Sequence, residues 1–224
     1  MVHAFIVHTL GEATCRILHT SHFGLENMSG DAEVDQQQHG TMSTTTPGST
    51  AASSSSGSPS QQPLASPDPR LLRKEQIALV ARQVQSEYTF RKAVSDRPSY
   101  PITMPGISIE DMLFDSEIGT FRLAPGDPFN NELIAVWLGV ANTGFTFVCD
   151  KHENRQQAEA VLKLLAKHLQ EQAQALTQPE NVLLKNDRVA TIVHYLLPCG
   201  RLLFMNHTVI KQIERDMESQ LKAK

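Results

Sequence analysis

The sequence predicts an α+β fold, an antiparallel sheet with helices packed around it and a long insertion without order. Three observations predict it. Runs rich in β-branched and aromatic residues come in pairs joined by turn-sized gaps, which is the pattern of hairpins. Segments with apolar residues at every third or fourth position follow in blocks and do not alternate with strands, so a doubly wound parallel sheet is excluded. From about residue 27 to 67 the chain holds almost no large apolar side chains and reads Ser53-Ser54-Ser55-Ser56-Gly57-Ser58-Pro59 in its centre. Such a stretch cannot bury enough apolar area to offset the entropy of ordering. It is either a regulatory Ser/Thr segment or a tolerated loop insertion.

The elements follow in order. Val2–Leu10 reads as a buried strand, Gly11–Thr14 as a turn, and Cys15–Phe23 as a second strand. Residues 1–26 are too short to fold alone, so they are expected to add two strands to a domain completed by 68–224. Asp68 can cap a helix and Pro69 suits its first position. Ile77, Val80, Val84 and Tyr88 then repeat at helical spacing, giving a helix over about 70–93 with Leu72 and Phe90 flanking the same stripe. Pro98, Pro101 and Pro105 bar its continuation. Ile118–Leu123 reads as a strand. Leu133–Leu138 and Gly144–Cys149 read as a hairpin with Asn142 and Gly144 as turn residues. Asp150 and Glu153 resemble a capping box. A long stripe follows, from Ala158 through Leu162, Leu165 and Leu169 to Leu176, with Pro179 as its stop. Val182–Leu197 is expected to be helical and broken by Pro198-Cys199-Gly200. Leu202–Met205 is a short strand or buried loop, and Val209–Leu221 is a closing helix.

Charge and composition exclude several classes of function. The 224 residues carry a formal net charge of -4, with no basic stripe, so a nucleic-acid partner is not expected. Three scattered cysteines make no disulfide framework, and an odd count fits a reducing compartment, the cytosol by default. Met1–Leu10 lacks the basic start of a secretory leader. The most apolar stretch, Ile134–Cys149, is too short to span a bilayer, which needs about 20 apolar residues.

Few side chains suggest chemistry. His19 and His22, three apart in a strand, point to opposite faces. Cys149 with His152 has no second pair at ligand spacing, so no metal site is expected. Cys149 closes an apolar strand as an inert thiol, and Cys199 in its Pro-Cys-Gly turn is the one candidate nucleophile. Glu110, Asp111, Asp115 and Glu117 are either an acid/base cluster or a solvated connection. Trp137 reads as core. No P-loop, G-x-G-x-x-G or G-x-S-x-G is present, and no catalytic residue or cofactor is assigned.

Several short blocks, in one order, carry a resemblance. They are Met1-Val2-His3-Ala4-Phe5-Ile6-Val7-His8-Thr9-Leu10, Arg70-Leu71-Leu72-Arg73-Lys74-Glu75-Gln76-Ile77, Val80-Ala81-Arg82-Gln83-Val84, Phe121-Arg122-Leu123-Ala124, Val136-Trp137-Leu138-Gly139-Val140, His152-Glu153-Asn154 and Pro198 to Asn206. Together they resemble the sigma (small) subunits of the fifth adaptor protein complex. The resemblance implies a longin-like fold, a five-stranded antiparallel sheet flanked by helices, and no enzymatic activity.

It also implies a heterotetramer in which the chain packs on a large zeta-type subunit beside beta-type and mu-type chains. Spatacsin and spastizin would work with that complex in vesicle-mediated sorting at late endosomes and lysosomes, from a cytosolic pool, with membrane attachment indirect. The commoner sigma chains carry an Arg-Arg-Tyr-Ala block where this sequence reads Ala135-Val136-Trp137-Leu138-Gly139, so no cargo residue is carried over.

Two helix stripes are the expected interface contributors, Ile77, Val80 and Val84 on one, Leu162, Leu165 and Leu169 on the other. The alternative is that the same faces cover the sheet. A stand-alone longin-type regulator of membrane fusion or small GTPases is the competing function, and a small enzyme using Cys199 is a third.

Overall fold

Successive side chains along a strand point to opposite faces, and the central strands carry apolar side chains on both, so the helices divide between the two faces of the sheet. The computed structural model describes residues 1–11, 14–24, 68–95, 108–126, 128–204 and 206–223. The expected insertion over 27–67 and the Pro98–Pro105 stretch lie outside these, as does Met205.

Five strands, β1 (Val2–Thr9), β2 (Ile17–His22), β3 (Glu117–Leu123), β4 (Leu133–Val140) and β5 (Thr143–Asp150), form one sheet in the order β2-β1-β5-β4-β3. Every pairing is antiparallel. Helix α1 (Pro69–Val94) lies on one face. Helices α3 (Arg155–Ala173), α4 (Asn181–Leu184), α5 (Asn186–Leu196) and α6 (His207–Ala223) lie on the other, with a one-turn α2 (Ile109–Phe114) at their side. This is the longin-like α+β arrangement that the resemblance implies. All of β4 and nearly all of β5 are buried, because both faces are covered.

Against α1, the sheet presents Ala4, Ile6, Ala135, Trp137 and Val148, which meet Ile77, Val80, Val84 and Tyr88. Three glycines on this side make room for rings. A Cβ on Gly119 would stand 2.4 Å from the Trp137 indole, one on Gly139 2.6 Å from the Tyr88 ring, and one on Gly144 2.5 Å from the His8 imidazole. Tyr88 and Trp137 meet edge to face at 6.3 Å. On the opposite face Phe5, Val136, Leu138, Phe145 and Phe147 meet Leu162, Leu165 and Leu169 of α3 and Ile192, Val193 and Leu196 of α5.

Several boundaries differ from the sequence reading, each for a local reason. The β4–β5 turn is Ala141-Asn142, with Ala141 in the left-handed region (φ 58), while Gly144 sits in β5 opposite Gly139. A left-handed alanine costs about 1 kcal/mol; the Tyr88 hydroxyl donates to its carbonyl at 3.0 Å and holds it there. Asn154, not Asp150, caps α3, accepting from the Gln157 amide at 3.2 Å. Asp150 and Glu153 turn to the Met1 ammonium instead. Helix α3 ends at Ala173, where Gln174 adopts φ 57 and the chain doubles back to bury Ala175 and Leu176, well before Pro179. The 182–197 helix is interrupted at Lys185. Residues Glu110 and Asp111 fall in α2, which the sequence reading treated as a connection; Ser108 caps it by accepting from the Asp111 amide. Residues Leu202–Phe204 form a loop.

Candidate functional site

The titratable groups serve the fold. His8 is fully buried, with its ring nitrogens against the Thr9 carbonyl and the Thr146 hydroxyl, both at 3.2 Å. Burial pulls its pKa down to about 4, so it is neutral in the core. Burial also lowers His19, against a 2.9 Å hydrogen bond to Asn186, and lowers His22, which Arg73 pushes further the same way. Burial would raise Asp150, but hydrogen bonds from His3 (2.6 Å) and the Met1 ammonium (3.0 Å) outweigh it and hold the carboxyl below its usual range.

The Cys149 thiol is driven strongly up by burial, as an inert core thiol should be. Cys199 is exposed in the Pro198–Gly200 turn at φ 51. The acidic cluster is dispersed: Asp111 accepts from the Ser108 hydroxyl at 2.7 Å as part of a helix cap, and Glu117 begins β3. Among the described residues no group of three or more ligating side chains could hold a metal ion. No described helix is long and apolar enough to cross a membrane.

What remains is surface chemistry. Ile77, Val80, Val84, Leu162, Leu165 and Leu169, the expected interface side chains, are each at most 2% exposed within this chain. Of the two alternatives, they take the one in which these faces cover the sheet, and no partner can reach them without opening the core. Leu72 and Phe90 do not flank that stripe. At roughly 100° per residue, Leu72, Leu79, Phe90 and Val94 share one narrow arc about 130° round the helix from it. All four are exposed, Phe90 to 68%. Between them on the same arc stand Gln83 and Ser86, so the row carries no charge from Leu72 to Val94, about 33 Å of helix at 1.5 Å per residue. Arg82 and Glu75 flank it on one side and Glu87 on the other.

The helix that presents this row is fixed in place. The Asp68 side chain caps it, accepting from the Arg70 amide at 2.9 Å. Gln76 donates to the Pro128 carbonyl at 2.7 Å near one end. Arg91 donates to the Ile118 carbonyl at 2.6 Å near the other, lies 5.1 Å from the Trp137 ring centre and pairs with Glu87. The basic pair Arg91/Lys92 is therefore turned toward the body, with Lys92 5.8 Å over the Tyr88 ring.

A second apolar opening lies on the far side of the sheet. A groove of about 540 Å³ runs along the outer side of α3, past Ala160 and Leu164, between Leu113 of α2 and Leu203 and Ile210. Phe204 lines it and is 85% exposed; Phe114 beside Leu113 is 92% exposed. Lys163 and Lys167 stand on its α3 wall.

Sequence reasoning missed both openings. An apolar row on an already amphipathic helix looks like a wider stripe, yet the five-turn spacing from Leu72 to Phe90 is a readable signal that the two share one side. Ser108-x-x-Asp111, a cap pattern, could have announced α2.

Comparison with known proteins supplies the family. Residues 48–218 match the family described as AP-5 complex subunit sigma-1. The human AP-5 complex subunit sigma-1 is 34% identical over an alignment of 225 positions that covers 98% of each chain. The mouse AP-5 complex subunit sigma-1 is 35% identical over 184 positions, 79% of this chain and 91% of that one. With the longin-like sheet, a family match over most of the chain and end-to-end similarity to the human protein, this chain belongs to the AP-5 complex sigma-1 subunit family, the small subunits of an adaptor complex.

Proposed function

We propose that the chain is a non-enzymatic assembly subunit that docks on the large zeta-type chain of its complex through the outer side of α1. The uncharged row Leu72–Leu79–Phe90–Val94, on a helix pinned at both ends, carries this reading. Interface centres are depleted of charge and enriched in aromatic anchors, and this uncharged row carries Phe90 as such an anchor. A row about 33 Å long on a helix about 10–12 Å wide offers on the order of 350 Å². A standard interface takes about 800 Å² per partner, so the row is the centre of the contact and the flanks complete it.

The rest of the function follows from the family. Beta-type and mu-type chains complete the tetramer, and spatacsin and spastizin join through the complex. It sorts membrane cargo at late endosomes and lysosomes, drawn from the cytosol and attached to membranes indirectly. Neither nucleic acid nor a cofactor takes part.

Co-expression with the large subunit, followed by size-exclusion chromatography with light scattering, tests this. The expected result is a one-to-one complex that the pair Leu79→Glu and Phe90→Glu weakens by tenfold or more, about 1.4 kcal/mol per decade, while the isolated variant keeps its melting temperature. A stable monomer that ignores the large subunit would overturn the reading and favour the stand-alone longin regulator. An intact complex in the double variant would move the interface off α1.

A further inference from the structure

The groove along α3 opens on the face of the sheet opposite α1, so an occupant there does not compete with the docking proposed above and does not depend on it. Its lining is mostly apolar, and a small residue, the exposed Ala160, lies on the α3 side where an incoming backbone would come closest. Exposed phenylalanines, Phe114 and Phe204, are found in two of the flanking elements. Scattered single apolar residues on a surface need no explanation, but a contiguous apolar depression with aromatic residues at hand marks a binding groove.

The charges set the occupant. Lys163 and Lys167 follow each other by one turn on the α3 wall. Of the nearby carboxylates, Glu159 pairs with the groove's own Lys163 at 3.2 Å, whereas Glu171 and Glu214 lie 3.1 Å and 3.5 Å from the two ring nitrogens of the buried His168. Lys167 has no ion-pair partner among the described residues. The other end of the groove, at Asn154, Gln156 and Gln157, is polar and uncharged. A cation beside apolar walls is satisfied by a carboxylate brought in with the apolar side chains.

The backbone sets the conformation. Two of the three walls are helices, α2 and α3, whose backbone groups are already bonded internally. An extended segment laid between them would leave its own N–H and C=O groups facing leucine and phenylalanine, whereas a helix arrives with them paired. The α3 wall from Asn154 to Lys167 is about 20 Å long, room for a segment of about 13 helical residues.

We propose that the groove between α2, α3 and the side chains of Leu203, Phe204 and Ile210 receives an acidic amphipathic helix from a partner protein. Its apolar side chains, spaced three and four apart, seat over Ala160 and Leu164, and its carboxylates lie at the Lys163–Lys167 end.

The test is selection of a phage-displayed random library of about 15-residue peptides on the full chain, with Ala160→Trp as the blocked control. Ala160 is exposed, so the variant fills the groove without entering the core; its melting temperature is checked against wild type. Enrichment on wild type alone of acidic peptides with helical apolar spacing is the expected result. Such a peptide, labelled for fluorescence anisotropy, should lose about tenfold in affinity to Lys167→Glu and regain it when its carboxylates are exchanged for lysines. Absence of enrichment over Ala160→Trp overturns the proposal. So does enrichment of basic or proline-interrupted peptides, or binding indifferent to the sign of charge at position 167. The result stands or falls without the large subunit.

Discussion

The two faces of the sheet are closed by different means. On the α3–α5 side, aliphatic and phenylalanine side chains interdigitate from several helices, so the loss of one contact is shared among many neighbours. On the α1 side a single helix does the covering, and three rings sit in pits left by Gly119, Gly139 and Gly144. Interdigitation tolerates small changes of shape; a ring over a glycine tolerates none, because the floor of the pit is backbone. The reward on the α1 side is rigidity. A helix located by rings and by hydrogen bonds to both ends of the sheet can carry an apolar row on its outer side without collapsing inward.

Truncation separates the two faces most strongly. Trp137→Ala empties the pit over Gly119 and should lower stability by about 4 kcal/mol, against about 3 for Leu165→Ala on the shared side. Chemical denaturation of both variants measures this. If Leu165→Ala proves the costlier, the α1 side is not the less forgiving one.

Acid should loosen the α1 side through His8. Its pKa is 6.5 unfolded and about 4 folded, so the unfolded chain binds the extra proton between these values. Stability is complete above about pH 6.5 and falls as pH drops toward 4, by on the order of 3 kcal/mol from this group. His19 and His22, lowered in the same direction, steepen the same slope. The share of His8 is the difference between wild type and His8→Gln in melting temperature across that range; identical slopes would remove His8 from the account.

The smallest effect sharpens the comparison. Gly144→Ala adds one methyl group against the His8 ring and should cost about 1–3 kcal/mol. Ala158→Gly, which removes a buried methyl in the first half of α3, should cost at least about 1 kcal/mol, through helix propensity and the lost contact together. A cost for Gly144→Ala well below about 1 kcal/mol would mean that the His8 ring moves aside freely.

The sheet was legible in the sequence because β4 is apolar at nearly every position, which only a strand covered on both faces needs, and because β5 follows it with Phe145, Phe147, Val148 and Cys149. The long helices were legible from Ile77–Val80–Val84 and Leu162–Leu165–Leu169. The direction in which those rows point was not, since a sheet and a partner ask for the same leucines. Helix α2 escaped because six residues hold less than two turns of periodicity. The break at Lys185 escaped because no glycine or proline marks it; α4 and α5 meet there through packing on β2 and α3. Both openings on the surface depend on which side chains their neighbours leave uncovered, and spacing alone does not carry that.

The place of β1 in the sheet has a consequence for synthesis. This strand, buried along nearly its whole length, lies between β2 and β5, and its His8 meets Thr146 across 138 positions of sequence. At about 5–20 residues per second, a ribosome needs roughly 10–30 s to deliver the second neighbour. For that time Phe5, Ile6 and Val7 leave the exit tunnel with one of their two edges open. The first strand made is thus among the last to be enclosed, and its apolar residues wait on the synthesis of β5 for their second neighbour.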